Sequence, residues 1–189
     1  MWNSDPGRTN KWLIAVLVSV AVFIALLDTT IVDIVLPKMM AAMETDIYGI
    51  QWVVITYFLG AAIAMTAVGR TADMAGHRNT YCFGIVLFVA MSALAGFAHT
   101  LEMMLFARFF QGIAEGIMMP VGLLILYETF PPEERGMAMG VYGISASFAP
   151  ALGPTLGGLL TEYLNWRWVF FINIPVGIID VALIWWLME

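Results

Sequence analysis

At 189 residues the chain is 61% hydrophobic and 12% charged, with a mean hydropathy of +0.88 and a formal charge of −6. A water-soluble domain carries about 25% charged residues, so this composition excludes one and points to the bilayer. Cys82 is the single cysteine, which excludes an internal disulfide and a thiolate metal cluster, and the net charge names no partner because charge distribution between loops says more than the sum.

Six apolar runs are long enough to cross about 30 Å of hydrocarbon at 1.5 Å per residue, predicting an all-α membrane protein of six spans. The first span is drawn at about 12–36, behind an N-terminal tail of residues 1–11. It is too long for a signal-peptide core and has no small-residue cleavage site, so it is expected to remain as a helix. Inside it lie Asp28 and, near its outer end, Asp33. Five residues turn a helix by about 140° beyond one full turn, so the two carboxylates cannot share a face. Asp33 is close enough to the interface to reach water. For Asp28, Thr29 and Thr30 offer only hydroxyls, and the natural charged partner is Arg108 of the fourth span.

The second and third spans are drawn at about 48–68 and 80–98, joined by a loop from Gly69 to Asn79. The fourth span, about 103–127, carries Arg108, Gln111 and Glu115 at steps of three and four. Seven residues bring Arg108 and Glu115 within about 20° of each other, giving one polar stripe. Gly112 and Gly116 adjoin it in a small-xxx-small spacing that lets a neighbouring helix or a ligand approach the backbone. Two readings compete: a buried ion pair that joins helices, or a functional site. Charge at mid-bilayer costs about 2.5–3.5 kcal/mol and marks a functional candidate by default. Pro131-Pro132 ends this span, since proline lacks the donor that the next turn requires.

The fifth span, about 137–161, is rich in glycine, and the sixth, about 168–188, carries Asp180, whose expected state is a hydrogen-bonded buried group or one drawn toward the interface. Arg8, Lys11, Arg70, Arg78 and Arg135 fall on one side of this topology, against Lys38 and Arg167 on the other. The positive-inside rule then sets both termini in the cytoplasm. The fourteen methionines read mostly as lipid-facing or packing residues. No nucleophile–base pair, metal cluster or phosphate loop stands out, so the sequence predicts neither an enzyme nor a cofactor, and no nucleic-acid partner.

Several segments carry a family resemblance. Leu27 to Pro37, LDTTIVDIVLP, is similar to the first-helix signature of the drug/proton antiporter branch of the major facilitator superfamily, with Asp33 in place of its usual asparagine. Gly69 to Arg78, with Gly69, Asp73, Gly76 and Arg78, resembles the superfamily's loop motif between helices two and three, although Met74 stands where a basic residue is common. Arg108 to Gly112 resembles the fourth-helix motif, and Glu115 lies where that branch usually has a small residue. Gly140, Ala149, Gly153-Pro154 and Gly157-Gly158 are similar to the antiporter motif, with alanine replacing one glycine. Trp166 to Gly177 resembles the branch's entry into helix six, where Trp166 and Trp168 suit an aromatic belt.

The resemblance implies the N-terminal bundle of a major facilitator fold, built as two three-helix repeats. It implies proton-coupled export of lipophilic drugs or metabolites, cationic ones included, across the cytoplasmic membrane. Asp28 and Arg108 would couple the proton; Glu115, Asp33 and Gln111 would meet substrate; the glycines, Pro154, Asp73 and Arg78 would serve conformational change. Implied partners are membrane lipid, protons, substrate, a C-terminal half or second half-transporter, and a membrane-fusion adaptor. The alternatives are a non-transporting fragment or half-size bundle, and an importer. In a lone bundle the stripe of helices one and four is expected to lie exposed, with Asp28 and Arg108 meeting in a cleft that water can reach.

Overall fold

The computed structural model describes residues 10–187, so residues 1–9 of the expected tail, Arg8 among them, lie outside the described residues. Among those described, the chain is helical throughout: α1 (Lys11–Ala42), α2 (Ile47–Ala75), α3 (His77–Gly96), α4 (Leu101–Thr129), α5 (Arg135–Tyr163), the short α6 (Trp168–Phe171) and α7 (Asn173–Leu187). Side chains begin most of the long helices. Asn10, Asp46 and Thr100 each accept from a backbone N–H of the first turn of α1, α2 and α4, satisfying donors that helical bonding leaves free.

Five segments are long and apolar enough to cross a membrane: α1, α2, α3, α4, and Trp168–Leu187 taken together. The expected six-span count therefore needs qualification. At 29 residues α5 is long enough, but its glycine, alanine, serine and two internal prolines give it a lower apolar content than the others. The sixth span is met as one apolar segment, Trp168–Leu187, with a turn inside it. Pro175 has no N–H to offer Phe171 four residues back, and a single turn residue, Ile172, separates α6 from α7 while keeping helical dihedrals of φ −62° and ψ −28°.

Two further boundaries differ from the sequence reading. Pro37 does not end the first helix, which runs on to Ala42; the missing bond leaves one carbonyl free near the helix end, where the flanking residues are exposed. The expected loop from Gly69 to Asn79 is one residue. Helix α2 continues through Gly69 and Asp73 to Ala75, and Gly76 alone makes the turn at φ +84°, a conformation that side chains disfavour.

Helix α2 packs on α4, α1 on α5, and α3 on α4 and α7. Exchanging the first three segments with the last three turns the α1–α5 pair into the α4–α2 pair and leaves α3 facing the sixth segment. That is the pairing expected of two related three-helix units.

Glycines set the closest approaches. A Cβ on Gly60 would strike the Phe109 carbonyl, one on Gly112 the Tyr57 carbonyl, and one on Gly116 the Ala61 carbonyl, so α2 and α4 touch backbone to backbone. Between α1 and α5, Gly153 admits Thr30, and Gly157 lies against Ile31.

At the Gly76 end, Arg78 donates from Nη2 to the Trp185 carbonyl at 2.6 Å and its guanidinium lies 4.3 Å from the Trp185 ring centroid. It closes the last turn of α7 against α3. Asp73 is exposed, 3.8 Å from Nε2 of His77, the first residue of α3. Replacing Arg78 with alanine removes both contacts with Trp185 and is expected to destabilise the bundle by about 1 kcal/mol, read as a lower thermal midpoint in detergent.

Candidate functional site

The polar residues of the fourth span point inward. Arg108, Gln111 and Glu115 are 1%, 0% and 4% exposed, and Asp28 is 0%. This corrects the expectation of an exposed stripe and a cleft open to water. Glycine lets α2 lie close against α4 beside the stripe, and α1, α2, α3 and α7 together cover its polar groups.

There it forms a closed ring. Arg108 pairs through Nη1 with Asp28 Oδ2 and donates to Gln111 Oε1 at 3.0 Å. Gln111 Nε2 donates to Ser92 Oγ at 2.7 Å. Asn173 Nδ2 bridges Ser92 Oγ at 3.3 Å and Asp28 Oδ1 at 2.8 Å, completing the circuit. Arg108 Nε donates to the Val53 carbonyl at 3.3 Å, and the guanidinium lies 4.0 Å from the Tyr57 ring centroid. Four helices thus meet in one ring, and three of them, α1, α4 and α7, at its carboxylate. Thr29 and Thr30 are not among its partners, because their hydroxyls donate back to the carbonyls of Leu26 and Leu27.

Ionised groups withdrawn from water hold together only when their remaining hydrogen-bonding capacity is met. Asn173 and Ser92 meet it for Asp28 and Gln111, and neither drew notice from the sequence as a site residue. The available signal was a polar side chain inside an apolar run, which both share with ordinary packing serines and asparagines. Asn173→Ala removes one acceptor bond of a buried carboxylate and is expected to cost about 1–3 kcal/mol in thermal unfolding.

Glu115 lies two turns along α4 from Arg108, near Tyr57 of α2, whose hydroxyl donates to the Ala25 carbonyl at 3.5 Å, and near Tyr142 of α5. Gln111 is enclosed by Arg108 and Ser92, so here it holds the ring together and offers no surface to a ligand. Asp33 is exposed, on a different face of α1 from Asp28. The Gly-Pro segment divides: Gly153 and Gly157 pack on α1, while Gly140 and Gly158 have no neighbour within 4 Å of a built Cβ. Proline at 154 leaves the Pro150 carbonyl without its helical donor, which permits a bend there. Trp166 is 6% exposed and packs into the interior, which corrects its expected place in an aromatic belt; Trp168, at 48%, fits that place.

The family profile of the Major Facilitator Superfamily matches residues 18–189. The chain belongs to the major facilitator superfamily. The superfamily is one of membrane transporters and not of enzymes, so this chain is a multi-pass membrane protein of the transporter class. It is similar to the multidrug transporter protein MdtP of Bacillus subtilis (strain 168), 35% identical over 185 residues, covering 96% of this chain and 34% of that protein. Its similarity to the putative multidrug resistance protein MdtD of Pectobacterium carotovorum (strain PC1) is 37% over 188 residues, covering 100% and 40%. With MdtD of Escherichia coli O81 (strain ED1a) it is 39% over 175 residues, covering 93% and 36%. The chain therefore spans between a third and two-fifths of the length of these curated relatives.

Proposed function

We propose that this major facilitator bundle exports lipophilic, cationic compounds across the cytoplasmic membrane in exchange for protons, with both termini in the cytoplasm, as the N-terminal part of a drug/proton antiporter. The observation that carries the reading is the ring around Asp28: one carboxylate holds α4 through Arg108 and α7 through Asn173. Adding a proton to Asp28 cancels the charge that holds Arg108 and turns Oδ1 or Oδ2 from acceptor to donor. Both attachments then weaken together, and α1 is freed to move against α4 and α7. Losing the proton restores them. A local protonation is thereby converted into a shift of whole helices, the element that a proton-coupled transporter requires.

The names of the relatives favour drugs as cargo, and the chemistry of the bundle favours cations. Glu115, a carboxylate in the middle of α4 near Tyr142, supplies a negative charge suited to a cation. Asp33 adds a second negative charge at the exposed end of α1. The free glycine face at Gly140 and Gly158 supports packing against a further bundle, with Pro154 as the point of bending.

Respiring inside-out vesicles containing the protein test this reading. Adding a fluorescent lipophilic cation should dissipate the pH gradient only where the protein is present, while the cation accumulates inside. A gradient unchanged by every lipophilic cation tried would overturn it. Asp33→Asn should leave thermal stability unchanged, since the side chain is exposed, and should weaken transport of cations about tenfold relative to neutral compounds, as expected for loss of about 1.4 kcal/mol of attraction.

A further inference from the structure

Helix α7 carries a second buried carboxylate. Asp180 is 2% exposed, and neither of its oxygens has a hydrogen-bond partner. The expectation of a hydrogen-bonded group is therefore not met. It lies seven residues beyond Asn173, so both point to one side of α7, with Asp180 about 10 Å nearer the Arg78 end. Gly177, between them, packs against Val89 of α3 and holds this face of α7 against the bundle.

The groups around Asp180 give it nothing to pair with. On α3 it is near Tyr81 and Cys82. The Tyr81 hydroxyl is committed to the Val18 carbonyl at 3.1 Å, and the Tyr142 hydroxyl, next to Tyr81, to the Met119 carbonyl at 3.2 Å. Arg78, a turn away on α3, directs Nη2 to the Trp185 carbonyl, and its Nε, buried and without a hydrogen-bond partner, makes no bond or ion pair with Asp180. Between Lys11 and Asp28, α1 has no titratable residue, and α7 has none besides Asp180. Two more buried hydroxyls at this end of the bundle, Ser19 of α1 and Thr80 of α3, also lack partners. A carboxylate anion with no donor and no cation would cost several kcal/mol, far more than the neutral acid.

We propose that Asp180 is a second proton-binding site of the bundle, holding its carboxyl as the neutral acid between α3 and α7 and exchanging that proton with water at the Arg78 end. The inference rests on the proton-coupled reading for its role but not for its test. The ring at Asp28 binds its proton in competition with Arg108; Asp180 has no such competitor, and the α7 face that joins them makes a movement of Asn173 a movement of Asp180 as well.

Infrared difference spectra of the purified full chain in liposomes decide the matter. At neutral pH the native protein should show a carboxylic-acid carbonyl band that Asp180→Asn removes and Asp28→Asn leaves in place, and that Asp180→Glu retains at a shifted position. In deuterium oxide the band should shift within minutes to hours. If Asp180→Asn removes only carboxylate bands, the group is ionised and the proposal fails. If the acid band is present but does not shift in deuterium oxide, the proton is a fixed structural one and the exchange role fails. Neither result depends on transport, so failure of the antiporter reading would be seen separately, in the vesicle assay.

Discussion

Replacing Asp28 with asparagine is expected to abolish proton-linked transport and to destabilise the bundle by about 3–5 kcal/mol, the usual consequence of leaving one member of a buried ion pair behind. The loss has two sources that can be separated. Asparagine can still accept from Asn173 through its amide oxygen, so the bond to α7 survives in weakened form. Arg108, 1% exposed, keeps Gln111, the Val53 carbonyl and the Tyr57 ring but loses its only ion-pair partner among the described residues. Combining Asp28→Asn with Arg108→Gln removes both charges while leaving amides of similar reach at both positions. Stability should then recover to within about 1–2 kcal/mol of the native protein, because a neutral pair avoids the desolvation of an unpaired charge. Transport should not recover, since no group remains at that point to take up a proton. Thermal unfolding in detergent gives the first comparison and dissipation of the pH gradient in vesicles gives the second. A double variant that still moves protons with substrate would remove Asp28 from the mechanism.

Gly112→Leu is expected to have a comparable effect on stability by an unrelated route. A Cβ at this position already meets the Tyr57 carbonyl, and the rest of a leucine would have to occupy the α2–α4 contact. Overpacking usually costs about 1–3 kcal/mol when side chains can adjust. Here the obstacle is backbone, so α2 and α4 must separate, and a loss of about 3 kcal/mol or more is expected, with lower yield of folded protein and a reduced thermal midpoint. Separation of α2 from α4 also displaces Val53 and Tyr57, which flank Arg108, so transport should fall as well. Gly158→Ala supplies the contrast. Nothing lies within 4 Å of a Cβ there, and the melting midpoint of the bundle should be unchanged. If transport nevertheless falls in Gly158→Ala, the open face of α5 is in use by another part of the transporter.

Much of this arrangement follows from local physics. Apolar runs specify helices of membrane length because a backbone in hydrocarbon must satisfy its own hydrogen bonds, and that requirement acts on each segment separately. A charge within such a run needs a partner, and α1 and α4 hold charges of opposite sign, so the contact of Asp28 with Arg108 could be anticipated from residue types alone. Family membership was legible for the same reason: its motifs are short, contiguous strings.

What the linear order did not reveal was the direction in which the polar stripe faces. Periodicity places Arg108, Gln111 and Glu115 together on α4 but does not say whether that side looks outward or in. The choice fell to the packing of α2 on α4 through Gly60, Gly112 and Gly116 and of α1, α3 and α7 around the stripe, which together enclose it. Proline was overread in α1, where the helix continues past Pro37.

The sequence by itself determined the helices, their family and the two charges that must meet, because each follows from the free energy of a segment in lipid. Only the tertiary structure decided that Ser92 and Asn173 close the ring around Asp28 and that Asp180 is left without a partner. Those outcomes depend on which hydroxyls and amides lie within 3.3 Å of a given oxygen, and such distances are fixed by the packing of four helices at once.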